Sequence, residues 1–207
     1  MVHRVPRCFM PQLTVDDVGH RFGRLVLFRR LSFTLGGGQS VAITGANGAG
    51  KSTLLRILAG LLTPTAGRVT LTHDGTAVSR EERPLHTGLV APYFNVYDDL
   101  SARENLAFLA EARQLPDAAA RITAALEQVG LAGRSDDLVG TYSSGMKQRV
   151  KYAAARLADP PLLLLDEPSA NLDPAGVEMV DAVMRRQRAE GRLLVVATNV
   201  AEEAARC

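Results

Sequence analysis

Several things are scarce in this chain, and each shortage narrows what it can be. It has two cysteines, Cys8 and Cys207, near its two ends. They allow neither a disulfide framework nor a metal-ligand spacing, and point to a reducing compartment. No apolar run approaches the roughly 18 residues needed to cross a bilayer. Residues 1–11 carry basic side chains without an apolar core, which argues against a secretory signal. Met10 is as plausible a start as Met1, and residues 1–10 are expected to be a disordered extension. Excess charge of one sign is also missing. There are 24 Lys and Arg against 22 Asp and Glu, a net charge of +2, which gives no case for a nucleic-acid partner. Lysine is scarce too, since 21 of the 24 basic residues are arginine. The cluster Arg21, Arg24, Arg29 and Arg30 reads as a solvated face, with a phosphate or partner surface as the alternative. There is no internal repeat or low-complexity tract. A chain of 207 residues is expected to build one domain with a subdomain.

What is present is a phosphate loop. Gly45, Ala46, Asn47, Gly48, Ala49, Gly50, Lys51, Ser52 and Thr53 fit G-x-x-x-x-G-K-[ST]. The apolar run Val41–Thr44 leads in, and Leu54, Leu55, Ile57, Leu58 and Leu61 follow at helical spacing. A strand thus delivers a glycine-rich loop whose N–H groups surround phosphate oxygens, and the next helix aims its positive end at the same anion. Lys51 is expected to reach the β- and γ-phosphates, and the Ser52 hydroxyl to ligate Mg²⁺.

Around this loop the pattern alternates. Strands are expected at Leu13–Val18, Leu25–Leu35, Arg68–Thr72 and Thr87–Ala91, with turns at Gly36–Gly38 and His73–Gly75. The period then changes. Ser101 and Glu104 form a capping box before a helix closed by Pro116, and a second helix carries Ile122, Ala125, Leu126 and Val129 to Gly130. A third runs from Gly145 to about Ala158, so residues 94–158 read as a helical insert. The α/β frame then resumes with a buried strand at Leu162–Leu165, a helix opened by Asp173-Pro174 and running to about Glu190, a strand at Leu193–Thr198 and a last helix at Ala201–Arg206.

The strand at Leu162 ends in two carboxylates, Asp166 and Glu167. Carboxyl ends of parallel strands face the crevice where α/β sheets bind ligands. Asp166 is therefore a candidate for holding Mg²⁺, and Glu167 for orienting or deprotonating an attacking water.

At this point the chain resembles the nucleotide-binding subunit of an ABC (ATP-binding cassette) ATPase over nearly all of residues 11–207. Leu164–Pro168 is similar to the Walker B strand with its catalytic glutamate, Ser169–Asp173 to the D-loop, and Tyr142–Arg149 to the signature motif. The resemblance implies a P-loop NTPase parallel-sheet core, an N-terminal antiparallel β subdomain and the helical insert. It also implies ATP and Mg²⁺ as cofactors and a homodimer or heterodimer that sandwiches two ATP molecules head to tail. Ser143, Ser144, Gly145 and Met146 would contact the ATP of the partner subunit, and Asp173 would serve in the D-loop. Without the resemblance, Ser-Ser-Gly is simply a good helix start, although its hydroxyls and free amides suit an anion. An aromatic ring that stacks on adenine is matched by Phe22, with Phe28 as the alternative.

Two positions depart from the family. Pro92 stands where a glutamine usually senses Mg²⁺ and water, and proline has no side-chain donor or acceptor; Asn95 is a candidate substitute. Asn199 stands where a switch histidine usually meets the γ-phosphate, and it can donate but not carry charge. The expectation is slow but real hydrolysis, with Glu167 and Asn199 as the catalytic pair. The chain also stops at Cys207, where related cassettes usually add a strand and a tail, as a compact or truncated form would. The implied job is to power transmembrane permease subunits on separate chains from the cytoplasmic face of the inner or plasma membrane. Export is the expected direction. Tyr142–Arg149 and Thr198-Asn199 resemble small exporter cassettes, including the haem exporters of cytochrome c maturation. The alternatives are a nucleotide-binding regulatory subunit with little turnover and a soluble non-transport ABC ATPase.

Overall fold

The computed structural model describes residues 10–170 and 172–207. Apart from Met10, the expected extension lies outside the described residues, as do Cys8 and, within the expected D-loop, Asn171. In chain order the elements are β1 (Gln12–Phe22), β2 (Leu25–Gly36), β3 (Ser40–Thr44), α1 (Lys51–Leu58), β4 (Ala66–His73), β5 (Thr76–Val78) and β6 (Thr87–Val90). There follow α2 (Ala102–Ala112), α3 (Ala118–Gln128), α4 (Ser144–Arg156), β7 (Leu162–Asp166), α5 (Pro174–Ala189), β8 (Leu193–Thr198) and α6 (Ala201–Ala204).

Two sheets result, one antiparallel in the order β2-β1-β4-β5 and one parallel in the order β3-β8-β7-β6. This is the expected α/β architecture. Strand β7 is inside the parallel sheet and buried at every position, which explains why it reads as unbroken leucine rather than as an alternation. Its side chains still alternate between faces. Leu163 and Leu165 join the core built on α2, α3, α4 and α5, whereas Leu162 and Leu164 join the core of α1 and the antiparallel sheet. Truncating a buried leucine to alanine typically costs about 2–5 kcal/mol, so the strand is firmly held. By the same alternation Asp166, two residues beyond Leu164, is on the α1 side.

The structure differs from the sequence expectations in five places. Strand β1 runs four residues past Val18 because Asp17, at φ +49°, makes a bulge that lets pairing with β4 resume at Gly19. Strand β5 is only three residues long, and the two-residue Asp74-Gly75 turn, with both φ positive, pairs it with β4. Helix α2 ends before Pro116. Gln114 takes φ +51°, and its N–H donates to Glu111 O while that of Leu115 donates to Ala110 O, a Schellman closure. Helix α4 ends at Arg156, two residues short of Ala158, and α6 ends at Ala204, two residues short of Arg206.

Candidate functional site

The phosphate loop is positioned by the end of β3 and the start of α1. Gly50 forms the N-cap of α1 at φ +94°, and a Cβ there would lie 3.1 Å from the Phe28 ring and 3.2 Å from Leu27. Both the backbone angle and the space therefore require glycine. The first turn of α1 holds no acidic side chain of its own; the carboxylates near its positive end, Asp166 and Glu167, come from the end of β7. Lys51, buried, donates from Nζ to Gly45 O at 2.8 Å and Ala46 O at 3.3 Å, and stands 3.6 Å from Glu167 Oε1.

Asp166 is buried at the end of β7, and its Oδ2 has no hydrogen-bond partner. Burial pushes its carboxyl up, while the Ser52 hydroxyl and the Lys51 charge pull it back. An orphaned, buried carboxylate oxygen beside a hydroxyl is a hard-oxygen pair of the kind that suits Mg²⁺, a cation that needs few protein ligands when phosphate supplies others. Glu167 follows at φ +49°, an uncommon angle for a non-glycine residue, and its N–H donates to Ala197 O at 2.8 Å.

One cleft of about 440 Å³ gathers Phe22, Asn47, Gly48, Gly50, Lys51, Ser52, Thr53, Asp166 and Glu167. Phe22 is 52% exposed there, whereas Phe28 packs beside Gly50 behind the loop. The expected Pro92 also lines this cleft. A neighbouring cleft of about 550 Å³ shares Pro92, Asp166 and Glu167 and adds Asn95, Ser144, Lys147, Gln148 and Lys151. Sequence reasoning placed Lys147 and Gln148 in the signature segment without assigning them to this cleft, and did not single out Lys151. A signal was available, because all three lysines of this arginine-rich chain line the joined clefts. Beyond β8, Asn199 donates from Nδ2 to Asn47 Oδ1 at 3.3 Å, so it meets the phosphate loop.

The remaining expected residues gather elsewhere. Ser143, Ser144, Gly145 and Met146 line a third cleft of about 410 Å³ with Arg149 and Asp173. Ser143 caps α4, accepting from Met146 N–H at 3.2 Å. Asp173 caps α5, accepting from Gly176 N–H at 2.8 Å, with Arg149 3.6 Å away. Of this group Ser144 alone also borders the Asp166 and Glu167 cleft. The expected site residues thus fall into two groups in separate clefts.

A family model described as ABC transporter matches residues 28–170, more than half of the chain. The chain is an ATP-binding subunit of the ABC transporter family. This ABC subunit is 40% identical over 176 residues to the cytochrome c biogenesis ATP-binding export protein CcmA of Pseudomonas putida, covering 84% of itself and 82% of that protein. It is 37% identical over 177 residues to the sulfate/thiosulfate import ATP-binding protein CysA of Thermosynechococcus vestitus, covering 84% of itself and 52% of that protein. Among solved structures, an ATP-binding subunit of an ABC transporter superposes with a TM-score of 0.82 at 29% identity, over 94% of this chain and 82% of that one. The ABC subunit is an ATPase of the P-loop type. Among its described residues no helix is long and apolar enough to cross a membrane.

Proposed function

We propose that this chain hydrolyses Mg-ATP as one half of a head-to-tail pair and thereby drives a separate membrane-spanning permease from the cytoplasmic face of the inner or plasma membrane. The observation that carries this reading is the split site. The phosphate loop with Asp166 and Glu167 is in one cleft, while Ser143, Gly145, Met146 and Asp173 are in another. A complete nucleotide site therefore needs two copies, or one copy and a relative.

In this reading the loop amides from Gly45 to Gly50 hold the phosphates, Lys51 exchanges its loop carbonyls for β- and γ-oxygens, and Phe22 stacks on adenine. Ser52 and Asp166 would hold Mg²⁺. When bound, the ion neutralises charge that develops on the phosphate oxygens. Glu167 takes up the proton of the attacking water, and Asn199 donates to the γ-phosphate. Residues Ser143–Met146 present hydroxyls and helix amides to the phosphate held by the other copy. Turnover is slow, because Pro92 offers no side-chain donor and Asn199 no charge. We take residues 11–207 as one ATP-binding domain with a helical part at 94–158. The exposed edge-to-face pair Tyr97 and Phe108, 5.8 Å between centroids, supports docking of an amphipathic permease segment there. Export is favoured over import by the identity to an export protein. Haem is the cargo we infer, on the likeness of the signature segment to haem-exporter cassettes.

The test is sedimentation of the Glu167→Gln chain. We expect a monomer without nucleotide, a dimer in Mg-ATP, and loss of the dimer when Ser144→Arg is added. A chain that stays monomeric in Mg-ATP, alone and with its permease, would contradict the pairing.

A further inference from the structure

Glu203, on α6, is a carboxylate that none of the roles above uses. It is 6% exposed, and a carboxylate so buried requires strong partners. It has two, one at the end of β8 and one in the segment after β7. Oε2 accepts from Thr198 Oγ1 at 2.5 Å, and Oε1 accepts from Ser169 N–H at 3.2 Å. The Thr198 oxygen in turn accepts from Val200 N–H at 2.9 Å. The residues on either side of Asn199 are thereby bonded to each other, and one of them, Thr198, to Glu203. On the other arm, Ser169 stands two residues after Glu167.

A second group holds the same segment one residue earlier. Tyr152 is wholly buried on α4, the helix that opens with the Ser143 cap, and its hydroxyl donates to Pro168 O at 2.9 Å. Burial, with the nearby Glu203 charge, pushes the Tyr152 phenol well up, so it stays protonated and remains a donor. Glu167 therefore emerges from a segment tied at Pro168 to α4, at Ser169 to α6 and, through its own N–H, to Ala197 of β8. Its positive φ is an arrangement that surrounding structure must enforce.

We propose that Glu203 is a positioning residue for ATP hydrolysis, one carboxylate that fixes the Asn199 turn and the Glu167–Ser169 segment relative to each other, with Tyr152 as its counterpart from α4. Neither residue needs to touch the nucleotide. A shift of the Asn199 turn is passed to the segment carrying Glu167, and a shift of α4 reaches that segment through Pro168. The inference rests on the roles given to Glu167 and Asn199 in the proposed function.

The experiment compares kcat for Mg-ATP with equilibrium ATP affinity, read from a fluorescent ATP analogue, in Glu203→Ala, Glu203→Gln, Tyr152→Phe and Thr198→Val. For Glu203→Ala the expected result is a fall in kcat of about tenfold or more with affinity changed by less than about threefold, since the loss falls on the reacting geometry and not on binding. Glutamine keeps an acceptor for Ser169 and a donor for Thr198, so Glu203→Gln should recover most of the rate. Tyr152→Phe removes one tie, and Thr198→Val removes two, the bond to Glu203 and the one from Val200 N–H; both should lower kcat in the same selective way. Thr198→Val should cost less in Glu203→Ala than in wild type, because the bond between the two residues is already lost there. A Glu203→Ala chain with unchanged kcat, or with rate and affinity lost in parallel, would overturn the proposal. So would a Glu203→Gln chain as slow as the alanine variant. If Glu203→Ala does not fold, Thr198→Val supplies the same rate-against-affinity comparison. Glu167→Gln is run alongside. Turnover that survives in Glu167→Gln would overturn the underlying assignment, whereas turnover lost there and unchanged in Glu203→Ala would overturn this inference alone.

Discussion

Asn199 donates its side-chain amide to Asn47 Oδ1 across 3.3 Å, joining the end of β8 to the phosphate loop. Both partners are exposed, and such a bond contributes about 1 kcal/mol net. Its interest is positional. A residue replacing the usual switch histidine keeps a donor beside the phosphate loop but gives up charge and proton transfer.

From this follows a gain-of-function prediction. Asn199→His should raise kcat about threefold or more, and Asn199→Ala should lower it, with ATP affinity little changed in either. Steady-state phosphate release measures both. Equal rates in all three chains would remove Asn199 from the catalytic pair.

Asp166 gives a stability prediction with a definite sign. Its carboxyl is pushed up by burial, against the pull of Ser52 and Lys51. A carboxyl whose folded value is raised is harder to ionise in the folded chain than in the unfolded one, so at neutral pH its charge opposes folding. Asp166→Asn should therefore raise the melting temperature of the nucleotide-free chain while abolishing Mg-dependent turnover. Lower stability in Asp166→Asn would show that the charge is compensated more fully than the orphaned Oδ2 implies.

Two phenylalanines should separate cleanly. Phe22 is half exposed at the mouth of the nucleotide cleft, and Phe28 packs behind the loop against Gly50. Base–aromatic stacking contributes about 1–3 kcal/mol, so Phe22→Ala should weaken ATP binding about tenfold with little change in melting temperature. Phe28→Ala should instead lower the melting temperature. Fluorescent-nucleotide titration and thermal denaturation of both variants decide it.

At the far end of α4, Arg156 is buried and held by Glu190 at 3.2 Å and by Gln187 at 3.4 Å. Burial pushes the Glu190 carboxyl up, but the hydrogen bond from Arg186 and the charges of Arg192, Arg156 and Arg186 outweigh it, leaving the carboxyl below its ordinary 4.5. A depressed carboxyl stabilises the fold above its unfolded value and loses that contribution as pH falls through the folded one. Glu190→Ala should cost about 1–3 kcal/mol at neutral pH by leaving the guanidinium short of a partner. The difference from wild type should shrink as the pH drops below about 4. A gap that persists in acid would mean the loss is one of packing.

How far the sequence could be read depended on the range of the interactions. The phosphate loop, the Ser101 capping box and β7 with its terminal Asp166 are each encoded in contiguous residues, and they stand where the pattern puts them. The end of β1 was hidden because it depends on a bulge at Asp17 and on pairing with Ala66, far along the chain. Strand β5 was hidden because three residues are too few to show a period. The choice of Phe22 over Phe28 required knowing which ring the Gly50 approach would cover. Glu203 gave no local signal, since its meaning comes from Thr198 and Ser169 meeting at one carboxylate. Pro92 and Asn199 were legible as departures, but the contact with Asn47 was not.

Mg-ATP turnover by the purified chain, measured against protein concentration with Lys51→Ala and Glu167→Gln beside it, decides between a paired site and a self-contained one. The prediction is slow turnover whose specific rate rises with concentration, with ATP binding lost in Lys51→Ala and kept in Glu167→Gln, and turnover lost in both. Turnover that is independent of concentration, or that survives Glu167→Gln, would contradict a paired site in which Glu167 handles the attacking water.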